Sequence, residues 1–333
     1  MITPGFALTA TERVLPTLFL NFTNASLDSR VTFTRSGNTA TTTNSSGVIA
    51  LVNADTPRFD YNPTTLVCQG LLVEESRTNV LLNSLIDGTS LSTQTVTVTA
   101  AARTLSFYGT GTIVISGTHT ATVVGTGAYP TRTTYTFTPT AGALILTVTG
   151  TVQFAQLELG SFATSFIPTA GSQVTRTADT AVMTSTNFSS WFNATQGSFT
   201  FTGDTLATGT VRPGIFVSKT VGSGSLYFKT PRPPGTTGIT VANDAGATAA
   251  DLSGSAITVN TAFTVCGGYK ENDFGFADRG AATTVDTSGS IPTSLDRMGI
   301  GFDFGTTYQN GHIASIKYWI QKLTTAEIQA FSK

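Results

Sequence analysis

Threonine alternates with branched and aromatic apolar residues along much of this chain, and that period of two constrains the fold more than any other feature. Successive side chains of an extended strand point to opposite faces, so alternation gives one apolar face and one hydroxyl face. Thr95–Thr99, Thr112–Ser116, Thr120–Val123, Thr133–Thr138, Leu144–Val148 and Val152–Leu159 all read this way. Gly109-Thr110-Gly111, Gly125-Thr126-Gly127 and Ala141-Gly142 punctuate them. Short strands at regular spacing, separated by turn residues, predict a sandwich or jelly roll. Thr, Val, Ile and Phe fit half-buried strands, and the Ala, Leu, Glu and Lys of exposed helix faces are scarce.

A second run of strands is expected after residue 180. It includes Gly197–Thr202, Gly214–Ser218, Ser225–Lys229, Phe263–Tyr269, Phe274–Ala277 and His312–Trp319, with Pro231–Gly235 as a rigid loop. One helix is predicted, over Thr325–Phe331, because Thr324 and Glu327 form a capping box. The chain therefore divides into an arm over 1–25, a jelly roll over 26–180 with an irregular lead-in, and a second sandwich over 181–333. The expected class is all-β: two β-sandwich domains in tandem, an extended N-terminal arm and a short C-terminal helix. The arm carries the apolar patch Val14–Leu20 and is expected to dock on another surface. Its removal should then leave a folded protein.

Charge is where the sequence is poorest. Lys and Arg total 18, Asp and Glu total 19, and the net charge is -1. Only 11% of the 333 residues are charged, against roughly a quarter in an average soluble domain. So few cations exclude the phosphate-neutralising surface of a nucleic-acid binder, and the β-branched and aromatic content excludes disorder. Cys68 and Cys266 lie far apart, in what are expected to be different domains, and read as buried free thiols. No apolar run reaches the roughly 20 residues of a membrane span, and the start, Met1–Phe6, has no basic region before an apolar core, so neither membrane insertion nor a signal peptide is expected.

Few residues remain for chemistry. Glycoside hydrolysis needs two carboxylates facing one cleft, but Glu12, Glu74, Glu75, Glu158, Glu271 and Glu327 form no alternating acidic strand, and adjacent Glu74 and Glu75 point to opposite faces. Asp273 and Asp278 read as solvated turn residues. A Ser-His-Asp site would need His119 or His312, and no G-x-S-x-G turn accompanies either. Asn272, Asp273, Asp278, Asp286, Asp296 and Asp303 sit near strand ends, where Ca²⁺ is the only plausible metal, without a recognisable ligand spacing. Trp191 and Trp319 lie among apolar strand residues and read as core, whereas Tyr129 and Tyr308 sit in turn-like loops. No catalytic, cofactor or metal residue is assigned, and no ligand-binding residue can be named.

Five blocks carry a resemblance. They are Pro57–Pro63, Gly70–Asn79, Ala155–Thr169, Val174–Asp179, and Asn310–Ile313 with Tyr318-Trp319 and Leu323–Ile328. In this order they resemble bacteriophage virion proteins of the tail-fibre and structural type. The last block, with Ser189–Asn193 and Gly197–Phe199, resembles the closing and opening elements of a laminin-G or concanavalin A-like sandwich. The resemblance implies a carbohydrate-binding-module-like jelly roll followed by a lectin-like domain, and no catalytic residues. Within the blocks, Arg58 and the Glu74–Arg77 segment read as charges that pair across the two segments as a clamp.

These readings together predict a non-enzymatic virion protein, a tail fibre, spike or capsid decoration, assembled in the host cytoplasm and anchored by its arm to other virion proteins. A homotrimer is expected from virion symmetry. The alternative is an adhesin that binds a host-surface glycan through residues 181–333, and a polysaccharide depolymerase is the less favoured third reading.

Overall fold

The computed structural model describes residues 15–207, 210–232 and 235–333. Strand makes up 46% and helix 4% of the described residues, so the all-β class holds. The capped helix Thr325–Phe331 is present, with Thr324 and Glu327 bonded reciprocally. Among the described residues no helix is long and apolar enough to cross a membrane.

Two sandwiches form, but strand pairing divides the chain differently from its linear order. The large sandwich faces an eight-stranded sheet with a seven-stranded one. The eight-stranded sheet is centred on Gly311–Trp319, which pairs with Gln196–Gly203 on one side. Its other side is shared. Gly311, His312 and Ile313 pair with Val73, Leu72 and Leu71, while Ser315–Tyr318 pair with Leu18–Asn21. The lead-in strands Phe59–Tyr61 and Cys68–Val73 thus belong to the C-terminal sandwich and not to the jelly roll that follows them. The opposite sheet likewise takes Thr32–Thr34 against Thr180–Thr184. Phe199, Phe201, Val217, Phe228, Ile239, Met298 and Ile316 fill the space between the two sheets.

The small sandwich spans Gln94–Val98 to Gln153–Leu159, with a four-stranded and a three-stranded sheet. Its core, including Leu105, Phe107, Ile115, Leu144 and Leu157, is separate. It is inserted into the large sandwich. The chain leaves through Arg77–Asn79 and returns through Val174–Arg176, and these two strands pair as a short antiparallel neck.

The expectations for the cysteines and the arm are corrected by this topology. Cys68 and Cys266 lie in one sheet, not in two domains, and Cys68 is only half-buried. The described part of the N-terminal arm docks on its own chain: Leu18, Leu20 and Phe22 are each 1% exposed in the large core. Residues 1–14 lie outside the described residues, as does the Pro233-Pro234 part of the predicted rigid loop. Removing residues 1–25 would therefore strip a strand from the core. Leu20→Ala should cost about 2–5 kcal/mol in urea unfolding. Phe19→Ala, on the half-exposed side of the same strand, should stay within about 0.5 kcal/mol. Equal losses would contradict the docking of this strand.

Candidate functional site at the junction of the two sandwiches

The blocks that carry charge in the sequence meet where the neck joins the large sandwich. Arg58, Glu74, Arg176 and Asp179 are fully buried, and Arg35 is almost so. Arg58 Nη1 donates to Glu74 Oε2 at 2.7 Å, and the same guanidinium also pairs with Asp179. Arg35 Nη1 reaches Asp179 Oδ1 at 3.1 Å. Arg176 Nη1 pairs with Glu74. The remaining carboxylate capacity is taken by Ser165, whose N–H donates to Glu74 Oε1 at 2.7 Å and whose hydroxyl donates to Oε2 at 2.6 Å, and by the Glu74 N–H, which donates to Asp179 Oδ2 at 2.9 Å. The clamp expected between Arg58 and the Glu74 segment is present, and it extends to Arg35, Arg176 and Asp179. Burial alone would raise the Glu74 pKa, but Arg176 and Arg58 hold it well below the usual carboxylate range. Burial alone would lower that of Arg58, but Asp179 and Glu74 push it up.

Glu75 points the other way, as its position next to Glu74 requires. It binds Arg77 at 2.6 Å and accepts from Asn310 Nδ2 at 2.8 Å. The guanidinium carbons of Arg77 and Arg212 lie 4.6 and 5.1 Å from the Phe162 ring centroid. Gly160 has a φ of 118°, which disfavours any side chain, and a Cβ there would also displace the Arg77 guanidinium. The Phe162 loop of the inserted segment is held in this way by two arginines from outside it.

His312 completes the junction. Its Nδ1 lies 2.9 Å from Asp204 Oδ2 and its Nε2 3.1 Å from Asp60 Oδ2. Two carboxylates on opposite ring nitrogens require both to carry protons. Burial opposes that charge, but Asp204 and then Asp60 outweigh it and push the pKa from 6.5 up to about 10. An imidazole held as a cation has no lone pair to act as a base. His119 is elsewhere, stacked on Phe137 at 4.5 Å with Nε2 3.0 Å from the Tyr135 hydroxyl.

A cleft of about 160 Å³ opens beside this network, between the sandwiches. Thr42, Thr43, Asp60 and His312 line it from the large-sandwich side, and Tyr108 and Arg132 from the small sandwich. Asp60 Oδ1 accepts from the Thr42 hydroxyl at 2.7 Å and the Thr43 N–H at 2.6 Å. Arg132 donates from Nη1 to the Thr164 carbonyl at 2.7 Å and from Nη2 to Ser106 Oγ at 2.8 Å, and its Nε has no partner.

Of the other sequence candidates Tyr129 lies beside the cleft, its hydroxyl donating to Thr43 Oγ1 at 3.4 Å, and the others lie elsewhere. Trp191 and Trp319 are core residues. Tyr308 is half-buried and stacks on Phe302, and Tyr129 packs against Tyr108. Asp278 is not a solvated turn residue: it is 1% exposed and accepts from Thr237, Ser255 and Arg279. Asp273 pairs with Lys322 at 2.6 Å. Asp286 and Asp303 each accept within their own turn, from Ser288 and Gly305, and Asp296 accepts from the distant Thr220. Arg132 and Asp204 were missed in the sequence. The only signal for either is the scarcity of charge, which makes any lone Arg or Asp beside a turn notable.

No protein-family model and no curated protein sequence matches the chain. Solved structures that align with part of it include a Ruminococcus gnavus sialidase carbohydrate-binding module, CBM40, bound to α2,3-sialyllactose. That match has 15% identity and a TM-score of 0.35, covering 42% of this chain and 83% of the module. Domain 4 of the Geobacillus stearothermophilus arabinanase AbnA, in complex with arabinotriose, aligns at 10% identity and a TM-score of 0.37, covering 47% and 73%. A heptameric pentraxin of Limulus polyphemus aligns at 14% identity and a TM-score of 0.32, covering 42% and 70%. These values establish no family for the chain.

Two outcomes follow from the junction. Asp179→Asn leaves buried Arg35 and Arg58 undercompensated and should cost about 3–5 kcal/mol in chemical unfolding; a loss within error would mean that the network is not structural. The raised His312 pKa stabilises the fold fully below pH 6.5, and this contribution disappears as pH rises to about 10. Thermal melts should therefore fall between pH 6.5 and 10 in the parent and lose most of that slope in His312→Gln. Identical slopes in the two would contradict a charged His312.

Proposed function

We propose that this chain is a non-enzymatic structural protein of a bacteriophage particle: a tail fibre, spike or capsid decoration, present as a homotrimer. One observation carries the reading. Arg58, Glu74, Arg176, Asp179, Asn310 and His312 belong to the sequence blocks that carry the virion-protein resemblance, and they converge on the junction as fixed ion pairs and hydrogen bonds. Those blocks thus encode a rigid join between two sandwiches, and the most distinctive charges of the chain are committed to geometry. A rigid two-lobed unit suits a protein that projects from a particle. Attachment would involve surfaces beyond the docked strand Leu18–Asn21, which is occupied by its own sheet.

Gold-labelled antibody against the chain should decorate purified particles at regular positions, and light scattering of the purified protein should give three times the 34.7 kDa chain mass. Label found only in the soluble lysate would overturn the virion assignment.

The second reading is a host-surface glycan-binding adhesin. The cleft favours it, because hydroxyl, carboxylate, guanidinium and tyrosyl groups converge in one concave polar site. The site draws on both sandwiches, not on residues 181–333 alone. A glycan array probed with the intact oligomer, with Ca²⁺ supplied, should show a restricted set of hits, and a blank array would remove this reading. Multivalent display would amplify weak single sites.

A further inference from the structure

The polar cleft between the sandwiches contains one cation, Arg132, that forms no ion pair with a carboxylate among the described residues. Around it the other ionised groups are matched. Glu74 is held by Arg58 and Arg176, and His312 by Asp60 and Asp204. Arg132 differs. Its two Nη groups rest on neutral acceptors and no carboxylate among the described residues forms an ion pair with it, while its buried Nε lacks a partner as those of Arg35 and Arg176 do. The nearby Glu158 is fully buried, and that burial raises its pKa against the opposing pull of Thr164 and of the Arg132 charge; its oxygens already accept from Thr164 and Gln156, so it makes no direct pair with Arg132.

We propose that this cleft is a single-residue binding site for a carboxylate-bearing sugar, of the uronic-acid class, with Arg132 as the anchor. The proposal rests on the glycan-binding reading and names its site and ligand class. Three features fit that ligand. The volume of about 160 Å³ is below the roughly 300–1,000 Å³ of drug-sized pockets, so one sugar ring enters and the rest of the chain runs out into solvent. The two walls differ in charge. Arg132 on the small-sandwich wall offers a guanidinium, which pairs with carboxylates in a planar, directional way. Asp60 and the threonine hydroxyls on the large-sandwich wall offer acceptors for sugar hydroxyls. Tyr108, which also lines the cleft, carries the Arg132 guanidinium carbon 5.9 Å from its ring centroid and adds an aromatic side chain to the same wall. A neutral sugar would leave Arg132 without a counter-charge, and a simple anion would leave the Asp60 wall unused.

Calorimetry or NMR titration of the full chain with D-galacturonate and D-galactose tests this, because the two rings differ only in carboxylate against hydroxymethyl. Galacturonate should bind at least tenfold tighter, and its affinity should fall with added salt. Arg132→Gln should abolish the preference by weakening galacturonate at least tenfold while galactose is unchanged. Since Arg132 also bonds to Thr164 and Ser106, a second variant is needed in case the first misfolds. Ala163→Phe fills the cleft without altering any charge and should remove binding of both sugars. Equal affinity for the two sugars, or galacturonate binding that survives either substitution in a folded protein, overturns the site while array binding keeps the glycan reading. Failure of galacturonate to bind overturns the site as well, and a blank array beside it removes the glycan reading too.

Discussion

The structure depends on a group of charges that have left water together. Three arginines and two carboxylates, Arg35, Arg58, Arg176, Glu74 and Asp179, are buried where the inserted sandwich joins the large one. Desolvating such ions costs several kcal/mol each, and their mutual attraction recovers this only if geometry and remaining hydrogen bonds are nearly complete. Here the carboxylates are satisfied, because Ser165 and the Glu74 N–H supply the bonds that the arginines leave open, and only the Nε groups of Arg35 and Arg176 stay unbonded within the network. A hydrophobic plug of equal volume could be as stable, but it would tolerate several packings. Directional ion pairs do not. The network selects one arrangement of neck, lead-in and return strand, and the rest of the junction is built on it.

This accounts for the unusual economy of charge. A chain with so few ionisable groups places a large share of them within one region, and pairs most of those tightly. The hydroxyl-rich faces elsewhere provide polarity without charge. Thr is suited to that task because its branched side chain also favours the extended backbone. The Phe162 loop, gripped between Arg77 and Arg212, and His312, gripped between Asp60 and Asp204, add further contacts between segments far apart in sequence.

The legibility of the fold followed exposure. Gln94–Val98, Thr112–Gly117 and Gly142–Thr149 bury one face and show the other to solvent, so their alternation could be read directly. Arg103–Tyr108 is buried on both faces over most of its length and carries no such pattern. The lead-in strand Cys68–Val73 ends in four consecutive buried residues for the same reason, and it looked irregular. Domain order was the harder problem. Nothing local to Leu18–Asn21 or Leu71–Val73 says that their partners lie beyond residue 310, since pairing of Leu18 with Tyr318 is a long-range fact. At the junction the same limit applied. Arg58 and Glu74 are close in sequence and their pairing was legible, whereas Asp204 meets His312 from 108 positions away and was not.

The buried charges fix how the two sandwiches sit relative to each other. Spin labels at exposed Val124 and Val285, one on each sandwich, with Cys68 and Cys266 replaced, report that geometry as a distance distribution. The parent should give one narrow peak. Glu74→Gln should broaden or shift it while both sandwiches keep their strand content by circular dichroism. A narrow peak unchanged in position in that variant would contradict the account.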